Sequence, residues 1–538
     1  MSFMPVILWS DALVFVLIAA CGVGTWTIRQ REHLRLPWRR VARSRVAMVS
    51  LMVLSLFLVI GLLDTLHYRV ALPQQSDGRQ VYSPEVLSVF DKLVTPLRTQ
   101  HEKTYSAPFA LTLFAKESVT DAGGHVLREY PRLQYGGAHL SDESQRDGDV
   151  LRRAVLGALA GALFALVILA TLRRLVWRAE TITLLIIAVL IGAFANLSSV
   201  YHVLGTDKVG QDVLYLSLKS IRTGLIIGTV TTLVTLPLAL FLGVAAGYFR
   251  GWVDDVIQYV YTVLSSIPSV LLIAAAVLMM QVTIDTHPQW FDTSASRADL
   301  RLVFLCLILG MTSWTGLCRL LRGETLKLRE MEYIQAAQSF GVSSMRILAR
   351  HIIPNVMHII LISLVMDFSA LVLAEAVLSY VGVGVDPSTI SFGTMINAAR
   401  LEMGREPMVW WALAAAFGFM LALVLAANLF ADAVRDAFDP RMNLIRDRGG
   451  RDLRAVGRIG LRQVHDRVVA DALVTGWRGQ CGRAVAVGRC EPARFVRTRY
   501  ACGARRHHGD DLSGAGVESE SGDDGRRADR GSVGFASK

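Results

Sequence analysis

The sequence predicts an all-α polytopic membrane protein, and three observations predict it. Hydrophobic residues make up 53% of the 538 positions and charged residues only 19%, against about 25% charged in soluble domains. Apolar residues collect in nine stretches, each near the roughly 20 residues that a helix needs to cross a bilayer. Arginines cluster in alternate connections between those stretches, which is how membrane proteins mark their cytoplasmic side. A nucleic-acid partner is not expected: the net charge is +11, but +8 of it lies in residues 441–538.

The expected spans are 4–26, 46–66, 154–172, 181–203, 223–247, 256–280, 302–321, 356–379 and 409–430. Loop 27–45 carries seven Arg: Arg29, Arg31, Arg35, Arg39, Arg40, Arg43 and Arg45. Arg173, Arg174 and Arg178 mark a second cytoplasmic link, and Arg322, Lys327, Arg329, Arg346 and Arg350 mark a third at 322–355. Alternation then puts the N-terminus, 67–153, 204–222, 281–301 and 380–408 outside, and residue 431 onward inside. Span count and arginine distribution agree.

Leu17-Ile18-Ala19-Ala20-Cys21 is similar to a lipoprotein cleavage box. A signal peptide wants positive charge before its apolar run. Here none precedes and the arginines follow, so the first span is expected to be retained. The six cysteines show neither metal-ligand spacing nor a disulfide framework. His202 and His351 have no neighbours at metal spacing, so no metal site is expected. Segment 67–153 is the one sizeable soluble piece before the tail, and no catalytic constellation is legible in it.

Within the spans, ionisable residues are candidates for function. Asp367 falls mid-span and Glu375 near an outer end; both are candidates for a solute path, with pairing inside the bundle as the alternative. Asp11 and Asp64 lie nearer span ends, as interfacial residues do. Tyr259, Tyr261, Trp410 and Trp411 suit an aromatic belt or the core. Ser265, Ser266 and Pro268 are expected to break a helix.

The most informative stretch is cytoplasmic. Glu332-Tyr333-Ile334-Gln335-Ala336-Ala337-Gln338-Ser339-Phe340-Gly341 leads to His351-Ile352-Ile353-Pro354-Asn355. A helix over 326–340 is expected, with Gly341 as a left-handed stop. Val342-Ser343-Ser344 then starts a second short helix running to the proline. Two short helices meeting at a glycine make a rigid elbow, and small Ala336 and Ala337 admit a close partner surface.

These residues resemble the coupling loop of binding-protein-dependent ABC importer permeases, whose pattern is E-A-A-x-x-x-G followed by I-x-L-P. Gln335, Ala336, Ala337, Gly341 and Pro354 fall in register; Gln335 replaces the usual Glu. Arg350 to Asn355 is similar to the R-H-I-L-P-N form of the oligopeptide/dipeptide/nickel subfamily. Further resemblances run in order over 204–441. Gly205-Thr206-Asp207 with Gly210-Gln211-Asp212-Val213-Leu214 resembles G-T-D-x-x-G-R-D-V-L. Arg222-Thr223-Gly224-Leu225 follows, then Gly243 to Tyr248 with Asp254. Glu375 to Gly384 resembles E-A-x-L-S-F-L-G-x-G, and Arg435 to Arg441 resembles R-D-A-L-D-P-R.

The resemblance implies a type I ABC importer transmembrane domain in a bacterial inner membrane, here with extra N-terminal spans, since the family has one span before this core and four stand here. Its coupling residues would be Glu332, Tyr333, Gln335, Ala336, Ala337, Gly341, Arg346 and Pro354. The implied partners are a second homologous permease, two cytoplasmic ATPases that carry ATP and Mg, an extracytoplasmic solute-binding protein and the lipid bilayer. This chain would hold no cofactor and catalyse no reaction. Cargo would be oligopeptide, dipeptide, nickel or another small solute. Two other classes compete: a secondary transporter driven by an ion gradient, which favours inverted repeats, and a membrane-anchored sensor using 67–150. Neither needs a glycine-centred cytoplasmic elbow.

Residues 442–538 form a separate region. From Arg441 the chain holds nineteen Arg and one Lys, without sustained periodicity. One reading is a disordered basic tail; the other is a shifted reading frame. Codons built from the last two letters of one triplet and the first of the next let Arg458 to Asp466 spell E-S-G-S-G-K-S-M-T. That matches a phosphate-cradling P-loop, with the preceding codon supplying its first glycine. In the same shift Asp510 to Ala515 can spell M-I-F-Q-E-P and 518–523 can spell S-L-N-P-V-M, resembling the Q-loop region of peptide-importer ATPases. The permease is therefore expected to end near 441, with a frame-shifted, non-native tail beyond.

Overall fold

The computed structural model describes residues 3–30, 32–72, 82–120, 126–171, 178–291 and 293–438. The expected tail at 442–538, the end of the permease near 441, and Arg173 and Arg174 lie outside the described residues.

The chain begins with strand β1 (Phe3–Val6), then helices α1 (Trp9–Gln30), α2 (Glu32–Val41) and α3 (Arg45–Thr65), then strands β2 (His67–Val70) and β3 (Leu87–Ser88). The first expected span, 4–26, therefore starts later, at Trp9. Its opening residues are apolar enough to read as helix, but their backbone pairs antiparallel with β2, Phe3 opposite Val70 and Val6 opposite His67. β3 completes the sheet on the other side of β2. This pairing joins the start of α1 to the end of α3. Both ends therefore lie at one end of the helical bundle. At the other face, Val41 of α2 packs with Ala47 of α3.

The segment that follows is a small mixed unit: α4 (Val89–Leu93), α5 (Thr95–Thr99) and a hairpin of β4 (Glu117–Thr120) with β5 (Val126–Glu129). Ser88 and Asp91 cap α4 reciprocally, each side chain accepting the other's backbone N–H. The protein is thus helical in its spans but carries five short strands among the described residues, four of them in the segment 67–153 expected outside the membrane and β1 paired to one of those.

Helices α6 (Arg146–Thr171) and α7 (Arg178–Ser198) form a tight pair. Gly157, Gly161 and Gly192 let their backbones touch: a Cβ on Gly161 would stand 2.1 Å from the Ala188 carbonyl oxygen. Small residues serve this purpose in lipid, where burial of oily side chains offers little drive to associate. α7 stops at Ser198, so His202, expected at a span end, belongs to the outer loop.

The core comprises α8 (Val213–Phe249), α9 (Trp252–Ser266), α10 (Ser269–Thr286), α11 (Ser294–Arg329), α12 (Glu332–Ser339), α13 (Ser344–Ile347), α14 (Ile353–Val381), α15 (Phe392–Glu402) and α16 (Trp411–Phe438). The expected span 256–280 is divided into α9 and α10. The break falls at Ile267-Pro268, where Ser265, Ser266 and Pro268 predict one and where proline supplies no N–H to continue the ladder. Nine helical segments among the described residues are long and apolar enough to cross a membrane. α8 and α11 are also in backbone contact: a Cβ on Gly243 would approach the Cys318 carbonyl oxygen to 2.7 Å, and one on Gly247 that of Arg322 to 2.7 Å.

Candidate functional site

The elbow expected on the cytoplasmic side is built from the ends of α11, α12, α13 and α14. α11 stops at Arg329, so the helix expected over 326–340 is broken. Met331 is extended (φ −71°, ψ 138°), and α12 starts afresh at Glu332. Gly341 adopts φ +74°. Its N–H bonds to Gln338 O at 2.9 Å and that of Val342 to Ala337 O at 3.1 Å, the double closure of a left-handed helix stop. The second short helix does not end at the proline. α13 widens into a π-turn at Leu348–Ile352 and continues as α14, with Pro354 in its first turn. Proline supplies no N–H to the ladder there, and the widened π-turn immediately before it is where the helix accommodates that loss.

The base of the elbow is fixed and its crest is free. Ile334, Ile347 and Ile352 are fully buried in a cluster with Tyr248, Trp314 and Leu321 from α8 and α11. Arg329 Nη1 donates to Tyr248 O at 2.8 Å, Gln338 Nε2 reaches the Tyr248 hydroxyl at 3.4 Å, and Arg250 pairs with Glu330. Arg322 grips Asp254 with two bonds of 2.5 and 2.7 Å. Those bonds hold the Asp254 carboxyl below its usual range. Glu332, Tyr333, Gln335, Ala336, Gly341, Arg346 and Pro354 are exposed, and Ala337 is half-buried. Phe340, 86% exposed, and Met345, 68% exposed, stand on the same crest. Neither is marked by residue spacing, although an aromatic beside the stop glycine signals a protruding apolar group. Gln335 Nε2 donates to Glu330 O at 3.2 Å. A carboxylate could not donate there, so the departure from the usual Glu gives this chain its own cap on α11. The arrangement is suited to passing displacement from a docked surface into α8, α11 and α14.

On the outer side, the Gly205 to Leu214 run is a latch. Asp212 caps α8 through Leu214 N at 2.8 Å and accepts His202 Nδ1 at 2.8 Å. His202 Nε2 lies 3.4 Å from Glu102 Oε1, a charge contact longer than a good hydrogen bond. Glu102 also accepts backbone N–H groups of Gln134, Tyr135 and Gly136. Burial opposes its charge, but His202 and these three donors outweigh burial and hold Glu102 down to about 2. For His202 burial works downward, yet bonding to Asp212 and Glu102 lifts it to about 9. Thr206 O accepts Trp411 Nε1 at 2.9 Å, which ties the latch to α16 and makes Trp411 a core residue. Gly210 is required by space, since a Cβ there would stand 1.8 Å from Glu102 O.

The two span acids differ. Glu375 is 1% exposed and accepts hydroxyls of Ser379 at 2.7 Å and Ser391 at 2.9 Å, bracing the loop between α14 and α15. Asp367 is half-buried in mid-α14 and makes no hydrogen bond or ion pair among the described residues. Asp11 and Asp64 are not solvated at an interface as expected. Both are buried, Asp11 paired with Arg222 and His67, and Asp64 with Lys219 and Ser88. Their partners lie on α8 and in the outer segment, and no local spacing announces them. Tyr261 is also buried, under the Arg319 guanidinium.

Comparison with known proteins gives matches to a family model, to curated relatives and to a solved structure. The family model described as "Binding-protein-dependent transport system inner membrane component" matches residues 239–444. An oligopeptide transport system permease protein, OppC, from Mycobacterium bovis is 33% identical over 245 residues, covering 46% of this chain and 78% of the relative. A glutathione transport system permease protein, GsiD, from Pectobacterium atrosepticum is 32% identical over 241 residues, covering 45% of this chain and 73% of the relative. A solved inward-facing structure of the MetNI methionine ABC transporter aligns with TM-score 0.33 and 16% identity, over 42% of this chain and 98% of that one.

Proposed function

Since the chain belongs to the family of binding-protein-dependent transport system inner membrane components, we propose that it is the peptide-importing permease whose coupling part is the elbow centred on Gly341. The family makes it a multi-pass inner-membrane subunit of an ABC importer that works with an ATPase and a substrate-binding protein. The finer reading is an assembly of this chain with a second homologous permease, two ATPases and one extracytoplasmic binding protein. ATP and Mg would sit on the ATPases, and no catalytic step falls to this chain.

The observation that carries the reading is the elbow's asymmetry. Ile334, Ile347 and Ile352 anchor it in the α8–α11–α14 core. Glu332, Tyr333, Gln335, Ala336, Gly341 and Arg346 face outward with Phe340 and Met345. Closure of two ATPases would press two such elbows together and turn the passage outward. For this, ATP and loaded binding protein must each favour that state over the inward one. Asp367, without a hydrogen bond or ion pair among the described residues, suits a wall of the shared passage; Glu375 braces that wall from behind. Peptides are the cargo class supported by the relatives named for oligopeptide and glutathione transport. For 442–538 the reading is frame-shifted translation into a neighbouring ATPase gene, which the native C-terminal mass or the DNA sequence tests directly. A native protein verified to end at Lys538 would overturn it.

The test of function is reconstitution in proteoliposomes with the neighbouring ATPases and binding protein. ATP-dependent uptake of peptide is expected, and Gly341→Asp, which sets a new negative charge on the exposed crest, should abolish it while membrane insertion persists. Uptake that continues without ATP hydrolysis would overturn the assignment.

A further inference from the structure

On the outer side a cavity of about 320 Å³ opens between the outer segment, the loop before α8, α15 and the start of α16. Tyr105, Asp207, Lys208 and Glu402 line it over an apolar floor that includes Leu216 and Met395. Tyr105 is 5% exposed, yet its hydroxyl makes no hydrogen bond of good geometry among the described residues. The Glu402 carboxylate stands near enough, with burial, to keep the proton on that hydroxyl, but no bond of good geometry joins them. An unpaired buried donor lining a cavity is a group waiting for an acceptor. The other polar groups are also incompletely used. Asp207 spends Oδ1 on Val209 N and Gln211 N, both at 2.9 Å, while no bond is made by Oδ2 among the described residues. Lys208 is exposed and makes no ion pair among the described residues. Glu402 reaches Arg405 only at 3.3 Å.

One mouth thus carries two carboxylates, an ammonium and a free hydroxyl donor above apolar side chains. A simple anion would meet both acids, and a simple cation would meet the lysine. We infer that this cavity binds a small zwitterion, an amino acid or short peptide with free termini. Its ammonium lies toward Asp207 and Glu402 and its carboxylate toward Lys208 and the Tyr105 hydroxyl. The volume is at the small end for ligand sites. The inference rests on the importer reading and adds to it a cargo-sorting station ahead of the membrane passage.

The test is calorimetry on the full chain in nanodiscs, without ATPases or binding protein, using three probes: the dipeptide alanyl-phenylalanine, the same dipeptide acetylated and amidated, and free phenylalanine. The free-ended dipeptide and free phenylalanine, both zwitterions, should bind, and the capped dipeptide should not. Tyr105→Phe and Lys208→Gln should each weaken binding about fivefold, the scale of one hydrogen bond. Lys208 is exposed, so that variant is expected to fold even if Tyr105→Phe does not. Gly341→Asp should bind as the parent does. Absent binding, equal binding of free and capped probes, or unchanged affinity in both variants would overturn the inference. If the importer reading alone fails, ATP-driven uptake is lost while this binding remains.

Discussion

Arg222 Nη2 donates to Asp11 Oδ1 across 2.7 Å, joining the first span to the longest core helix. His67 Nδ1 meets the other oxygen of Asp11 at 2.8 Å, and Ser10 beside it bonds to Asp299 on α11. The N-terminal spans are therefore secured to the core by buried charge as well as by packing. Asp11→Asn leaves the Arg222 guanidinium without its carboxylate. Removing one member of a buried pair costs about 3 kcal/mol or more. The expected result is a clear fall in the thermal midpoint of the purified protein, partly restored in Asp11→Asn/Arg222→Gln. An unchanged midpoint in the single variant would show that the pair contributes nothing.

At Gly341 space and backbone make opposite demands. Nothing lies within 4 Å of a Cβ built there, but φ is +74°. Steric bulk is tolerated and chirality is not. Left-handed backbone costs about 1–2 kcal/mol for most residues, and asparagine accepts it more readily. Gly341→Asn should keep most of the peptide-stimulated ATPase activity of the reconstituted complex, while Gly341→Val should lose it. Equal activity of the two would mean that the turn does not need this conformation.

Gly243 shows the reverse case, a helical glycine with no room. Its Cβ would meet the Cys318 carbonyl at 2.7 Å and Leu321 Cβ at 2.9 Å. Gly243→Val should force α8 and α11 apart and cost at least about 1–3 kcal/mol as overpacking does. Its readout is reduced yield of monodisperse protein on size exclusion. Gly418→Val, where nothing lies within 4 Å of the added Cβ, should behave as the parent.

The latch on the outer side sets a pH dependence. His202 is raised from 6.5 to about 9. Its contribution is complete below pH 6.5 and is lost as pH rises through about 9, up to about 3 kcal/mol. Glu102 is lowered from 4.5 to about 2, so its contribution is present above pH 4.5 and fades as pH falls toward 2. The two share one contact and are not summed. Thermal midpoints should decline between pH 6.5 and 9, and His202→Gln should flatten that slope. A parent profile level across this range would refute the charged latch.

What the sequence disclosed depends on the range of the interaction concerned. The spans were legible because each is a local apolar run of helical length, and the break at Pro268 because a missing N–H is a local property. Gly341 was legible for the same reason. The β1–β2 pairing was not, since Phe3-Met4-Pro5-Val6 reads as the start of a helix and its partner strand lies more than sixty positions away. Arg222 with Asp11 and Lys219 with Asp91 escaped for that reason too, being separated by 211 and 128 positions. Gln335 was visible only as a departure from a pattern; its bond to Glu330 O needed the turn at Met331. Tyr105 carried no signal, because an unpaired hydroxyl is defined by what surrounds it.

The 37 residues of α8 begin at the cap formed by Asp212 and end beside Tyr248, whose carbonyl receives Arg329. At 1.5 Å per residue this is a rod of about 55 Å. One helix thus reaches from the latch at Asp212 to the footing of the Gly341 elbow. A tilt imposed at either end must be felt at the other, and Pro237 marks where along its length the bar can give.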